Sequence, residues 1–156
     1  DGNIHAAELT ASTAVLYYLH QLVARFGADP EITQLRDKHK GSYESAGAKL
    51  TFTGFIAKAI VDALRQFPMV NASIDGENIV YKKDINLGIA VALDNGLIVP
   101  VIRNADEKNL LGLSRGINDL ATRARSKKLN PDEVQGGTFT ITFDGQTTAA
   151  IAEGGC

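Results

Sequence analysis

The alternation of apolar and polar positions divides the chain into helical and extended stretches with sharp breaks between them. From His5 to Phe26, Leu9, Val15, Leu16, Leu19, Leu22, Val23 and Phe26 fall on a helical stripe, and Gly27 supplies a stop. Tyr17 and Tyr18 widen the stripe, so this helix is expected to be well buried or to pack against another subunit. Asp29-Pro30-Glu31 reads as an N-cap with proline in the first turn, opening a second helix that runs to about Ser45, with Gly41 weakening its middle. After a break at Ala46-Gly47, Thr53 is positioned to cap a third helix. Its Phe55, Ile56, Ala59, Ile60, Ala63, Leu64 and Phe67 recur at helical spacing, and Pro68 ends it.

Extended segments come next. Asn71 to Ile74 and Asn78 to Lys82 alternate on either side of Asp75-Gly76, a hairpin signal. Ile89, Val91 and Leu93 alternate into Asn95-Gly96, and Leu97, Val99 and Val101 alternate out of it; Asn-Gly tolerates the positive φ of a type I′ turn. Pro100 has no N–H for a ladder, so an edge, an irregular pairing or a bulge is expected there. Asn109 is placed to cap a fourth helix with Leu110, Leu113, Ile117, Leu120, Ala121 and Ala124 on one face and Lys127-Lys128 near its C-terminal dipole. Asn130-Pro131-Asp132-Glu133 starts a short turn, and Gly136-Gly137 releases the chain into a strand from Thr138 to Phe143. The last residues, Ala149 to Cys156, read as a short helix or a frayed end. These elements specify an α/β fold: a mixed or antiparallel sheet made of hairpins and covered by amphipathic helices. Phe55, Ile60, Leu64, Ile89, Val91, Val99, Ile117 and Leu120 are its expected core.

Composition narrows the function more by exclusion than by indication. With 156 residues, 44% hydrophobic and 22% charged, the chain reads as a single domain, 1–156. A formal charge of -2 gives no electrostatic case for nucleic acid or an anionic membrane as partner. No apolar run approaches the roughly 18 residues of a membrane span, and Asp1-Gly2-Asn3 lacks the basic start of a secretory signal, so a soluble, cytoplasmic protein is expected. Cys156 is the only cysteine, which leaves no internal disulfide and no Cys-based metal site; no metal is expected. Neither a Gly-x-Gly-x-x-Gly or Walker-type phosphate loop nor a Gly-x-Ser-x-Gly elbow occurs. Scattered acids such as Asp62, Asp119, Asp132 and Glu133 read as decoration of helix surfaces or caps.

Four phrases are more specific. They are Phe67-Pro68-Met69-Val70-Asn71-Ala72-Ser73, Asn86-Leu87-Gly88-Ile89-Ala90-Val91, Gly96-Leu97-Ile98-Val99-Pro100-Val101-Ile102 and Gly136-Gly137-Thr138-Phe139-Thr140-Ile141-Thr142. Together they resemble the catalytic core of dihydrolipoamide acyltransferases, the central components of 2-oxo acid dehydrogenase complexes. The likeness covers residues 31–142 and leaves 1–30 and 143–156 as divergent flanks. It implies part of a chloramphenicol-acetyltransferase-like fold and acyl transfer between the thiol of a lipoyl group and coenzyme A, both as substrates. It also implies a homo-oligomer, because the family assembles its active sites between subunits, and a mobile lipoyl domain as a further partner.

In such a reaction the substrates bring the sulfur nucleophile. The protein supplies a base for the thiol proton and a donor for the oxyanion of the tetrahedral intermediate. The family associates the second role with a Ser or Thr hydroxyl in a Phe-Thr-Ile-Ser/Thr strand, which by that motif implies Thr142. Residues binding coenzyme A are not identified. The first role belongs to a histidine in His-x-x-x-Asp-Gly, and none of the three histidines fits: His5 leads to Leu9, His20 to Ala24 and His39 to Tyr43. His20 lies beside an apolar pattern, and His39, between Lys38 and Lys40, reads as solvated. Asp1-Gly2 with Ala6-Ala7-Glu8-Leu9 after it resembles the stretch just past the family's histidine, which suggests a rearranged order. The expectation is a chain descended from such an acyltransferase and catalytically incomplete, whether truncated, permuted or engineered. The alternatives are a noncatalytic, self-assembling scaffold and an active enzyme with a relocated base.

Overall fold

The computed structural model describes residues 30–94 and 96–142. The helix expected over His5–Phe26, the Asp29 cap, His5, His20, Asn95 and everything from Phe143 onward lie outside the described residues. Helix α1 spans Pro30–Ser45, the bounds expected from its proline start. Most of it is exposed, and Arg36 lays its guanidinium over the Phe52 ring, 4.7 Å from the centroid. Helix α2, Phe52–Gln66, begins earlier than its sequence suggested. Its cap is Thr51, not Thr53: Thr51 is extended, and its Oγ1 accepts the Gly54 N–H at 3.4 Å. The earlier start adds Phe52 to a buried row with Ile56 and Ile60, one turn apart each, and that burial selects the cap.

Helix α3, Leu110–Arg125, starts on Asn109 as expected, whose Oδ1 accepts the Gly112 N–H at 2.8 Å. Where α2 meets α3, a Cβ on Gly54 would stand 2.6 Å from Ser114 Oγ, so a side chain there would force that hydroxyl to move. Helix α3 also fastens the linker ahead of α2. Its Arg115 donates to the Ala46 carbonyl and Asn118 Nδ2 donates to that of Lys49 at 3.0 Å.

Strands β1, Ala72–Asp75, and β2, Asn78–Tyr81, form the first hairpin, with Ile74 opposite Ile79 and a turn at Gly76 with φ 60°. The second hairpin is interrupted into β3, Leu87–Ile89, and β4, Val91–Leu93, on one side and β5, Gly96–Ile98, and β6, Val101–Ile102, on the other. Leu87 pairs with Ile102 and Val91 with Ile98 on one continuous register, so no residue is inserted and there is no bulge. The irregularity instead arises from Pro100. Ile89 donates to the Pro100 carbonyl at 3.0 Å, and Pro100 has no N–H to return; Ala90 turns its own N–H to the Ile141 carbonyl at 2.9 Å.

Strand β7 covers Phe139–Ile141, shorter than the expected Thr138–Phe143, and Thr142 lies one residue beyond it. It runs parallel to β3, with Leu87 opposite Phe139 and Ile89 opposite Ile141. The sheet β6-β3-β7 is therefore mixed, with β3 in the middle. One face of it, carrying Leu87, Ile89, Ile102 and Ile141, packs with Ile56, Ile60 and Leu64 of α2 and Leu113, Ile117 and Leu120 of α3. Ile60, Leu64, Ile89, Val91, Ile117 and Leu120 are buried as expected, but Phe55 and Val99 are only half-buried. Phe55 sits at the flank of the buried row of α2. Val99 belongs to the opposite face of the sheet, where its Cγ1 and Thr140 Oγ1 close over Gly88, each 2.9 Å from where a Cβ would lie. No helix among the described residues is long and apolar enough to cross a membrane.

Candidate functional site

Thr142 is placed by the segment that delivers β7. Asn130 caps the short 3₁₀ turn Pro131–Val134 in a reciprocal capping box, its own N–H donating to Glu133 Oε2 at 2.8 Å. Arg123 of α3 grips the same Glu133 with both terminal nitrogens, each at 2.6 Å, while Asp119 one turn earlier accepts from Arg123 Nε at 2.9 Å. The Arg123 hydrogen bonds, and after them the Asn130 N–H, hold the Glu133 carboxyl down from 4.5 to about 2. The same pairing pushes the Arg123 guanidinium further up.

Two more side chains secure this segment. Arg103, just after β6, donates from Nη2 to the carbonyl of Asp132 at 2.9 Å and to that of Gln135 at 3.4 Å. Asn86, just before β3, donates from Nδ2 to the Gly136 carbonyl at 3.1 Å, and its Oδ1 accepts the Asn104 N–H at 3.0 Å. Its backbone completes the join: Asn86 N–H donates to Thr138 Oγ1 at 3.1 Å and its carbonyl accepts the Thr138 N–H at 2.8 Å. Gly136, with φ 75°, lies against the Arg103 guanidinium.

At the far end, Ile141 is buried and bonded to Ala90, and Thr142 is exposed, its hydroxyl without a hydrogen-bond partner among the described residues. A hydroxyl on a backbone fixed up to its own position can donate one hydrogen bond to an oxygen that gains charge. His39 is exposed on α1, and no hydrogen bond joins it to Thr142. Among the described residues no group of three or more His, Cys, Asp or Glu could hold a metal ion. Of the acids expected to decorate the surface, Asp62 is exposed and paired with Lys58, whereas Asp119 and Glu133 form the clamp with Arg123. The Asn130-x-x-Glu133 spacing is a legible signal for half of that clamp. Asp119 and Arg123 stand at the i,i+4 spacing of a helical ion pair, whereas the partners of Arg103 and Asn86 come from distant stretches of chain.

The profile of the catalytic domain of 2-oxoacid dehydrogenases acyltransferase matches residues 6–151. The chain belongs to this family. The match reaches beyond residues 31–142 on both sides. Over 112 residues this acyltransferase-family chain is 48% identical to the dihydrolipoyllysine-residue succinyltransferase component of a 2-oxoglutarate dehydrogenase complex from Bartonella vinsonii subsp. berkhoffii, covering 71% of this chain and 27% of the relative. It is 46% identical over 111 residues to the lipoamide acyltransferase component of the branched-chain alpha-keto acid dehydrogenase complex of Bacillus subtilis, covering 70% and 26%. The solved cubic core of the pyruvate dehydrogenase multienzyme complex superposes with a TM-score of 0.69 at 42% identity, over 71% of this chain and 46% of that one. The chain thus spans about a quarter of the length of these curated relatives.

Proposed function

We propose that this chain is part of a chloramphenicol-acetyltransferase-like catalytic core that moves an acyl group between a lipoyl thiol and coenzyme A, several copies assembling together and a lipoyl domain bringing one substrate. The observation that carries this reading is Thr142, exposed and without a hydrogen-bond partner among the described residues, just past a strand whose entry segment is held on three sides. The incoming thiol loses its proton and its sulfur attacks the thioester carbonyl; the Thr142 hydroxyl donates to the resulting oxyanion, and collapse expels the other thiolate, which takes up a proton. These residues contain no His-x-x-x-Asp-Gly to supply the base, so the 156-residue polypeptide by itself is catalytically incomplete.

The test uses dihydrolipoamide with acyl coenzyme A thioesters. The 156-residue polypeptide alone should give negligible transfer, and robust turnover abolished by His20→Ala or His39→Ala would establish a relocated base instead. Joining residues 1–142 to the histidine-bearing C-terminal segment of a relative should create transfer activity. A fused polypeptide that folds, assembles and still transfers nothing would overturn the reading.

A further inference from the structure

The stretch from Phe67 to Tyr81 carries most of the large apolar side chains that the described residues leave in solvent: Phe67, Met69, Ile74, Ile79 and Tyr81. Three of them share a surface by register. Ile74 lies opposite Ile79 and Ala72 opposite Tyr81, so these four side chains project from one face of the β1–β2 hairpin. Ile74 is 82% exposed, Ile79 52% and Tyr81 57%, although β-branched and aromatic residues opposite one another are what a covered sheet face uses. The hairpin is also firmly rooted. Asn71, buried at its base, donates from Nδ2 to the carbonyls of Lys82 at 3.1 Å and Asp84 at 3.0 Å, and its carbonyl accepts the Lys82 N–H at 2.8 Å.

Charge along the hairpin distinguishes the occupants. The tip bears Asp75 and Glu77; the base bears Lys82 and Lys83, with Asp84 next in the chain. All five are exposed, and none takes part in an ion pair among the described residues. A second copy of the same face, turned by a two-fold axis across the strands at the level of Ser73 and Val80, sets each acidic tip against the other copy's lysines and Ile74 and Ile79 against the other copy's Ala72 and Tyr81. The other face-to-face arrangement, tip against tip, opposes like charges. We infer that the Ala72-Ile74-Ile79-Tyr81 face is a self-association surface that pairs antiparallel with the same face of a second copy. The inference rests on the proposed assembly of several copies and adds to it a surface and an orientation.

Sedimentation of the full chain across micromolar concentrations, in a Cys156→Ser background, tests it. Ile74→Asp and the milder Ile74→Thr should each weaken association, the first by about tenfold or more, while unfolding curves of both stay near wild type because the side chain is exposed. Glu77→Lys and Lys83→Glu should each weaken association, and the double variant should recover it. A short bismaleimide should join Glu77→Cys to Lys83→Cys only when the two variants are mixed. A strict monomer would overturn both this inference and the proposed assembly. An oligomer indifferent to Ile74 and to the charge reversals would overturn the surface alone, as would cross-linking of the hairpin to residues 1–29 of its own chain.

Discussion

Ahead of β7 the chain is held from three directions, by Arg123 on Glu133, by Arg103 on two carbonyls and by Asn86 on Gly136 and Thr138. Beyond Ile141 the Thr142 side chain touches no hydrogen-bonding partner among the described residues. The strand between these two regions is only three residues long, so whatever fixes its entry also fixes its exit. Each kind of residue is useful in a different place. Charged and amide groups that satisfy one another set position, and on the proposed function the hydroxyl that they position keeps its donor for a substrate. A fully bonded hydroxyl would stabilise the fold more and, on that proposal, serve the oxyanion less.

Both regions depend most heavily on the layer beneath them. Leu64→Ala or Ile117→Ala removes a buried side chain from the layer supporting β3 and should cost about 2–5 kcal/mol, the lost transfer energy being joined by a cavity. Chemical unfolding measures this directly. A smaller effect is expected at Gly88→Ala, because the new methyl meets both Thr140 Oγ1 and Val99 Cγ1 at 2.9 Å and both must move; about 1–3 kcal/mol is the usual cost of such overpacking.

Acid separates the entry clamp from the exit. The Glu133 carboxyl is lowered from 4.5 to about 2 in the folded chain, so the folded state binds this proton less readily than the unfolded one. Its contribution is therefore fully present above about pH 4.5 and is lost as pH falls toward 2. The stability difference between wild type and Glu133→Gln, followed by thermal unfolding, should be steady near neutrality and shrink across that acid window. Because the pair is partly exposed, added salt should shrink it as well. At the small end, Thr142→Ala should change stability by no more than about 0.5 kcal/mol, as for an exposed side chain without a partner.

Much of the fold is readable from local pattern. Pro30 and Ser45 bound α1, Asn109 caps α3, and Asp75-Gly76 turns the first hairpin, each because the determining residues are neighbours in the chain. The errors have a common cause in tertiary contacts. Thr51 displaces Thr53 as cap because Phe52 has a buried row to join, and Val99 lies on the less covered face because Gly88 lets it lean there. The parallel pairing of β3 with β7 has no local signal, since Leu87 and Phe139 meet only after an intervening helix. For the same reason a motif can nominate Thr142, whereas no motif reveals that Arg123, Arg103 and Asn86 set its position. Phe67, Met69, Ile74 and Tyr81 show a further limit: an apolar pattern marks a surface to be covered without saying whether this chain or another covers it.

The most direct test of the claim that β7 ends in a functional rather than a structural hydroxyl is Thr142→Ala, measured for both stability and turnover. It is made in the 156-residue chain for unfolding and in the fused, histidine-bearing polypeptide for acyl transfer. The account predicts an unfolding midpoint near wild type together with a fall in kcat of about 10²–10³, the usual loss for one oxyanion donor. Destabilisation comparable to Leu64→Ala, or turnover that ignores the substitution, would contradict it.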